Sequence, residues 1–123
     1  MSDPRHALGL AGEKLAESHL AQLGMKCLAR RFATPAGELD LVMVDGDTVV
    51  FVEVKTRADR ALADPQDAVT PAKQRRLGRA ARWFLSQKRL ERHPCRFDVV
   101  GVILAPPAPP RIEHIRDFAA LDE

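Results

Sequence analysis

Small and apolar residues at helical spacing open the chain. Leu8, Gly12, Leu15, Ala16, Leu20 and Leu23 share one side of a helical wheel, which predicts a helix from residue 8 to about residue 23, closed by Gly24 as a C-cap. The period then changes. Residues 26–33 read as a strand with Leu28 and Phe32 inward, and Pro35-Ala36-Gly37 reads as a turn. Residues 38–45 and 48–56 are nearly continuous apolar runs on either side of Asp45-Gly46, the signal of a tight hairpin. Residues 57–69 show no period and are expected to form a mobile loop. Thr70 as N-cap and Pro71 at the first helical position start a second helix, and the stripe Leu77, Ala80, Ala81, Phe84 and Leu85 carries it to about residue 89. Residues 96–104 read as a further strand, 105–110 as a stiff, proline-rich extended connector, 111–116 as a short strand and 117–123 as a tail.

The order α-β-β-β-α-β-β predicts one α/β domain over residues 1–123, a mixed β-sheet flanked by helices. A right-handed crossover through the second helix would set the third and fourth strands parallel. The 123 residues suffice for a modest core. No apolar run approaches the length of a membrane span, and the first residues lack the apolar segment of a signal peptide, so the expected location is cytoplasmic and no membrane partner is expected. Cys27 and Cys95 read as buried free thiols, and the four histidines show no metal-ligand spacing.

Net charge is only +2, yet it is unevenly spread: residues 70–94 hold eight Lys or Arg and one acid, Glu91. Such a patch, rather than a uniformly basic chain, is where polyanions bind. Acids gather instead over residues 38–67 and at the C-terminus.

Some of those acids interrupt the apolar hairpin. Asp40 lies on its first strand, Glu53 and Lys55 on its second. Side chains two apart on a strand share a face, so Glu53 and Lys55 point the same way. Charges in strands this apolar are costly unless paired or bound to metal. Two adjacent carboxylates repel unless a cation joins them, and oxygen-only ligands favour Mg²⁺ or Mn²⁺. Lys55 could then orient an attacking water or neutralise charge developing on a phosphate. The alternative is an edge strand made soluble by a Glu-Lys pair. Glu38 shares the face of Asp40 and is open to two readings, an outer metal ligand or the partner of an arginine. Glu13, at the rim of the first helix, could reach a metal over the sheet edge or simply be solvated; Glu17 points further outward.

On the second helix, Arg75, Arg76, Arg79, Arg82 and Arg89 lie opposite the buried stripe without acids at pairing distance, which suits phosphate contact as well as a solvated face. Lys73 and Gln74 project on the apolar side of its first turn, toward the carboxylates or out past the helix end. Trp83 sits among the arginines, either exposed for stacking or packed under a neighbouring segment. Thr56 and Arg57 follow Lys55 and could meet backbone phosphate; Asp98 reads as a structural hydrogen-bond acceptor.

Asp40 followed by Glu53-Val54-Lys55 on the next strand resembles the PD-(D/E)xK nuclease signature. Within that superfamily the chain is similar to the YraN-like family of uncharacterised bacterial proteins, related in fold to Holliday junction resolvases. The ordered stretches that carry the resemblance are Gly12-Glu13-Lys14-Leu15-Ala16, Gly37-Glu38-Leu39-Asp40-Leu41-Val42, Val50-Phe51-Val52-Glu53-Val54-Lys55-Thr56-Arg57, Lys73-Gln74-Arg75-Arg76-Leu77 and Arg96-Phe97-Asp98-Val99-Val100. Leu39 stands where the superfamily often has proline. The resemblance implies a restriction-endonuclease-like fold, with Asp40, Glu53 and Glu13 as metal ligands and these residues with Lys55 as the catalytic set. It implies Mg²⁺ or Mn²⁺ as cofactor and DNA, branched DNA included, as partner. RNA stays open as a partner, and symmetric cutting of two strands would call for a homodimer. A nucleic-acid-binding module of the same fold without catalysis is the alternative; a protein-interaction domain using the basic helix is a third.

Overall fold

A computed structural model of the chain describes residues 4–58 and 69–119. The elements are α1 (Pro4–Gln22), β1 (Lys26–Thr34), β2 (Gly37–Asp45), β3 (Thr48–Arg57), α2 (Pro71–Gln87), β4 (Cys95–Ile103) and β5 (Arg111–Ala119). They build the expected α/β architecture, a five-stranded mixed sheet in the order β1-β2-β3-β4-β5 with two helices against it. All neighbours pair antiparallel except β3 and β4, which run parallel from Val49↔Cys95 to Arg57↔Ile103 across the α2 crossover.

The helices divide the core. Leu77, Ala80, Ala81, Phe84 and Leu85 of α2 pack with Leu39, Val42, Phe51, Phe97 and Val99, whereas Ala16 and Leu20 of α1 pack with Leu41, Met43, Val50, Val52, Val100 and Val102. β3 supplies alternate residues to the two clusters. Its residues 49–52 are therefore buried on both faces, which explains the apolar run there.

Local chemistry sets the helix ends. The Thr70 hydroxyl accepts the Lys73 N–H at 3.3 Å, with Pro71 at the first helical position. α1 ends in a Schellman turn: Met25 N–H donates to Leu20 O at 3.1 Å and Gly24 N–H to Ala21 O at 3.0 Å, with Gly24 at φ 94°. α2 closes the same way around Arg89 at φ 57°, where Leu90 N–H donates to Leu85 O at 2.8 Å. It thus stops at Gln87, two residues before its expected end.

Other expectations change as well. α1 begins at Pro4 rather than at residue 8. Leu23 and Leu28 are exposed, not inward: Leu23 follows the last helical turn, and Leu28 is the extra residue of a bulge between Cys27 and Ala29. Phe32 does face the core, edge-on to Phe84 at 5.0 Å. Residues 105–110 do not run on as an extended connector. They reverse the chain, with Ala108 N–H donating to Ala105 O at 3.2 Å, so that β5 returns antiparallel to β4. Residues 117–119 belong to β5 rather than to a tail. Most of the expected loop at 57–69, and the tail beyond Ala119, lie outside the described residues.

One polar network crosses the α1 side of the sheet. Asp98 is fully buried and accepts from Arg96 Nε at 3.1 Å, Arg96 Nη2 at 3.4 Å and the Asp117 N–H at 3.0 Å, and pairs with His114 Nε2 at 2.8 Å. Arg96 Nη1 continues to Asp45 at 3.1 Å. Asp98 thus acts as the structural acceptor expected, saturating a carboxylate that burial would otherwise penalise.

Candidate nuclease-like site

The candidate site lies where the hairpin opens. Ladder pairing between β2 and β3 runs from Asp45↔Thr48 to Leu41↔Val52 and stops there. β2 rotates at this point. Leu41 and Met43 belong to the α1 side, yet Leu39 packs with Val42 on the α2 side. Opposite this step, between the pairs Arg30↔Leu41 and Phe32↔Leu39, Arg31 takes φ 47°. That conformation is uncommon for a residue with a side chain. Asp40 is the residue swung into the opening. Its Oδ2 accepts the Val54 N–H at 2.9 Å, replacing a ladder bond that β2 no longer makes.

Glu53 enters the same opening from β3. Phe51 before it faces α2, whereas Val52 and Val54 face α1, so alternation turns Glu53 toward α2. Its carboxyl lies within hydrogen-bonding reach of Asp40, close enough for the two to share a proton. Burial first, then the charge of Asp40, push Glu53 up to about 8, against the weaker pull of Lys73 and Arg76. Burial also raises Asp40, and the Val54 N–H opposes that rise. A carboxyl pair like this titrates as a unit, holding one proton that neither group surrenders readily near neutral pH.

Glu13 approaches from α1. Burial and the charge of Asp40 raise its pKa, and Arg31 lowers it. Its carboxylate pairs with Arg31 Nε at 3.5 Å, and the same Nε lies 3.6 Å from Glu38. Of the two readings of Glu38, partner of an arginine is therefore the one seen. Among the described residues no three His, Cys, Asp or Glu side chains are grouped closely enough to hold a metal ion. Asp40 and Glu53 are together; Glu13 is next to Asp40 but turned to Arg31.

Lys55 is exposed, two residues beyond Glu53 on β3. A cleft of about 290 Å³ between α1 and the end of β3 is lined by Arg5, Gly9, Glu13, Lys55 and Thr56 among others, so Glu13 and Lys55 share one opening. α1 reaches this depth through Gly12. A Cβ there would overlap the Thr56 hydroxyl, which is itself buried without a hydrogen-bond partner among the described residues.

The residues expected to meet nucleic acid divide. Lys73 is half-buried and near enough to Glu53 to lower its pKa. Gln74 does not approach the carboxylates; it is exposed and its amide donates to Val69 O at 3.3 Å. Arg76 is exposed but leaves the solvent face of the wheel. Its Cδ lies 3.3 Å from where a Cβ of Gly37 would be, and its charge also reaches Glu53. Arg75, Arg79 and Arg82 are exposed along α2, and Arg57 is half-buried at the end of β3. Trp83 is half-buried, its ring 5.9 Å from Phe32, and so packs rather than standing free.

Arg31 is the site residue that sequence reasoning misses. The one available signal is the pair Arg30-Arg31, which breaks the alternation of β1 opposite Glu38 and Asp40. No helix among the described residues is long and apolar enough to cross a membrane.

Comparison with known proteins places these features in a group. Residues 12–102 match the uncharacterised protein family UPF0102. The UPF0102 protein of Geotalea daltonii is 46% identical over 110 residues, covering 89% of this chain and 87% of that protein. That of Geotalea uraniireducens is 44% identical over 111 residues, 90% and 87% of the two chains. That of Syntrophotalea carbinolica is 47% identical over 102 residues, 83% of each.

Proposed function

The chain belongs to the UPF0102 family, the YraN-like proteins, and from that premise we propose that it is a metal-dependent endonuclease hydrolysing DNA phosphodiesters, with branched DNA as substrate class. The observation that carries this reading is the pair Asp40 and Glu53, two half-buried carboxyls at a split in the sheet and close enough to share a proton. Burial alone favours their neutral form, whereas a divalent cation would let both ionise. The donors fit such an ion: both are hard carboxylate oxygens, the set that suits Mg²⁺ or Mn²⁺. Asp40 and Glu53 would hold it, with Glu13 the third candidate from α1.

When bound, the ion supplies charge neutralisation at a phosphate and lowers the pKa of a coordinated water. The chain's own groups do the rest. Lys55, two residues after Glu53 on β3, lines the cleft with Glu13, where its ammonium would orient a water or meet negative charge developing on phosphorus. Lys73 and Arg76 bring positive charge to the α2 side of the pair, and Arg75, Arg79 and Arg82 extend it along the helix as a track for phosphates. One domain carries one such centre, so symmetric cutting of a junction takes two copies.

A second reading, a nucleic-acid-binding module without catalysis, draws on a specific observation: the described carboxylates do not form a three-ligand group. Incubation with forks, flaps and four-way junctions plus Mn²⁺ separates the two, run beside Lys55→Ala to exclude a contaminating nuclease. Cleavage by the unaltered protein and its loss in the variant support the enzyme. Salt-sensitive binding with no cleavage of any substrate supports the module.

A further inference from the structure

Arg30 and Arg31 are adjacent on β1, yet their ion pairs differ in kind. Arg30 grips Glu17 through two nitrogens, one on each carboxylate oxygen. Arg31 instead spans two carboxylates with one nitrogen, at 3.5 Å from Glu13 and 3.6 Å from Glu38. Charge-assisted hydrogen bonds are about 2.7–2.9 Å long, so Arg31 is held by charge rather than by bonding geometry. Its backbone is the one described strand residue of β1 at positive φ, at 47°. Strain of that kind persists only where the surroundings impose it. What it achieves is positional: a side chain that alternation would direct elsewhere is brought over Glu13, Glu38 and, by its charge, Asp40.

We propose that Arg31 is a built-in competitor of the metal, a positioning residue whose guanidinium occupies the cation's place between the α1 carboxylate and β2 until a divalent ion displaces it. The inference rests on the metal-site reading above. The geometry explains why Glu13 stands beside Asp40 without completing a ligand group: its charge is already balanced. A tether that lacks hydrogen-bond geometry is one a divalent ion can break at small cost, whereas the Arg30–Glu17 pair next to it stays closed and keeps β1 fixed to α1.

The test is titration of the metal-free protein with Mn²⁺, read by calorimetry and by the melting temperature, with no reaction required. The variants are Arg31→Gly, which keeps the backbone conformation and removes the charge, Arg31→Lys, which keeps the charge, and Asp40→Asn. Arg31→Gly should bind Mn²⁺ more tightly than the unaltered chain by roughly tenfold, the factor that about 1.4 kcal/mol represents, with Arg31→Lys in between. If the unaltered chain binds Mn²⁺ through Asp40 and Arg31→Gly binds no more tightly, the competitor is overturned and the metal site stands. If neither binds Mn²⁺, both are overturned. If Arg31→Gly binds while the unaltered chain scarcely does, Arg31 is the dominant brake on metal entry.

Discussion

Asp40 accepts the Val54 N–H at 2.9 Å, and this bond stands in for the backbone ladder at the point where β2 and β3 separate. The same carboxylate is therefore both structural plug and candidate ligand, and substitutions can separate the two roles. Asp40→Ala removes the acceptor of the partly buried Val54 N–H and should cost about 1–3 kcal/mol in urea unfolding. Asp40→Asn keeps an acceptor and removes a charge from beside Glu53, so metal-free stability should hold or rise. In that variant Mn²⁺ should no longer raise the melting temperature, as it should in the unaltered protein. A metal shift that survives Asp40→Asn removes Asp40 as a ligand.

The raised pKa of Glu53 fixes the direction of a pH dependence. Its folded value is about 8, against 4.5 for a free glutamate, so the folded state holds a proton that the unfolded chain releases. Stability therefore falls as pH rises through the window between those values, and is fullest below it. A tenfold difference in proton affinity between the two states is worth about 1.4 kcal/mol, so the total is on the order of a few kcal/mol, shared with Asp40 because the pair titrates together. Glu53→Gln should flatten this decline between about pH 5 and pH 8.5, the range over which the two states differ in bound protons. Added Mg²⁺ should reverse it at the alkaline end in the unaltered chain alone. Thermal melts across that range decide the matter; equal slopes in both proteins would contradict the shared proton.

The features that follow from a period are legible in the sequence alone. The stripe Leu77 to Leu85 is buried as its 3.6-residue spacing requires, and Asp45-Gly46 closes its hairpin with Gly46 at φ 64°. The proximity of Asp40 and Glu53 was legible for the same reason, since a tight hairpin pairs nearby positions. Features that break a period were not. Arg31 and Arg89 adopt positive φ without being glycine, so the backbone step of β1 opposite the rotation of β2 has no signal beyond the adjacent Arg30-Arg31, and the early end of α2 has none. The bulge that exposes Leu28 and the Asp98 acceptor that draws Asp117 into β5 depend on partners distant in sequence. Glu13 is half-buried on α1. Its engagement by Arg31 depends on the backbone step at Arg31.

The exposed arginines of α2 give a prediction that holds whether or not the protein cuts. If Arg79 and Arg82 contact phosphates, each alanine substitution should lower the slope of log affinity against log salt by about 0.9 for duplex DNA. The fold should be unaffected, because both side chains are exposed. Fluorescence anisotropy over a salt series measures this. Unchanged slopes in both variants would mean that the basic face of α2 is only a solvated surface.

Gly12 and Thr56 set how closely α1 approaches β3, and the contact predicts an energetic coupling. A Cβ on Gly12 would overlap the Thr56 hydroxyl and lie 2.8 Å from Thr56 Cβ, so Gly12→Ala must push helix and strand apart. Overpacking of this kind costs about 1–3 kcal/mol. Alanine's better helix propensity returns up to about 1 kcal/mol, so the net effect is a loss. Thr56→Ala should cost little or stabilise, because the hydroxyl it removes is buried without a partner among the described residues. In the Gly12→Ala background Thr56→Ala should gain more than it does alone, since it also relieves the clash. Urea unfolding of the four proteins measures that coupling. Strict additivity would show that α1 is free to slide. In that case Glu13, one residue along the helix, would not be held at a fixed depth beside Asp40.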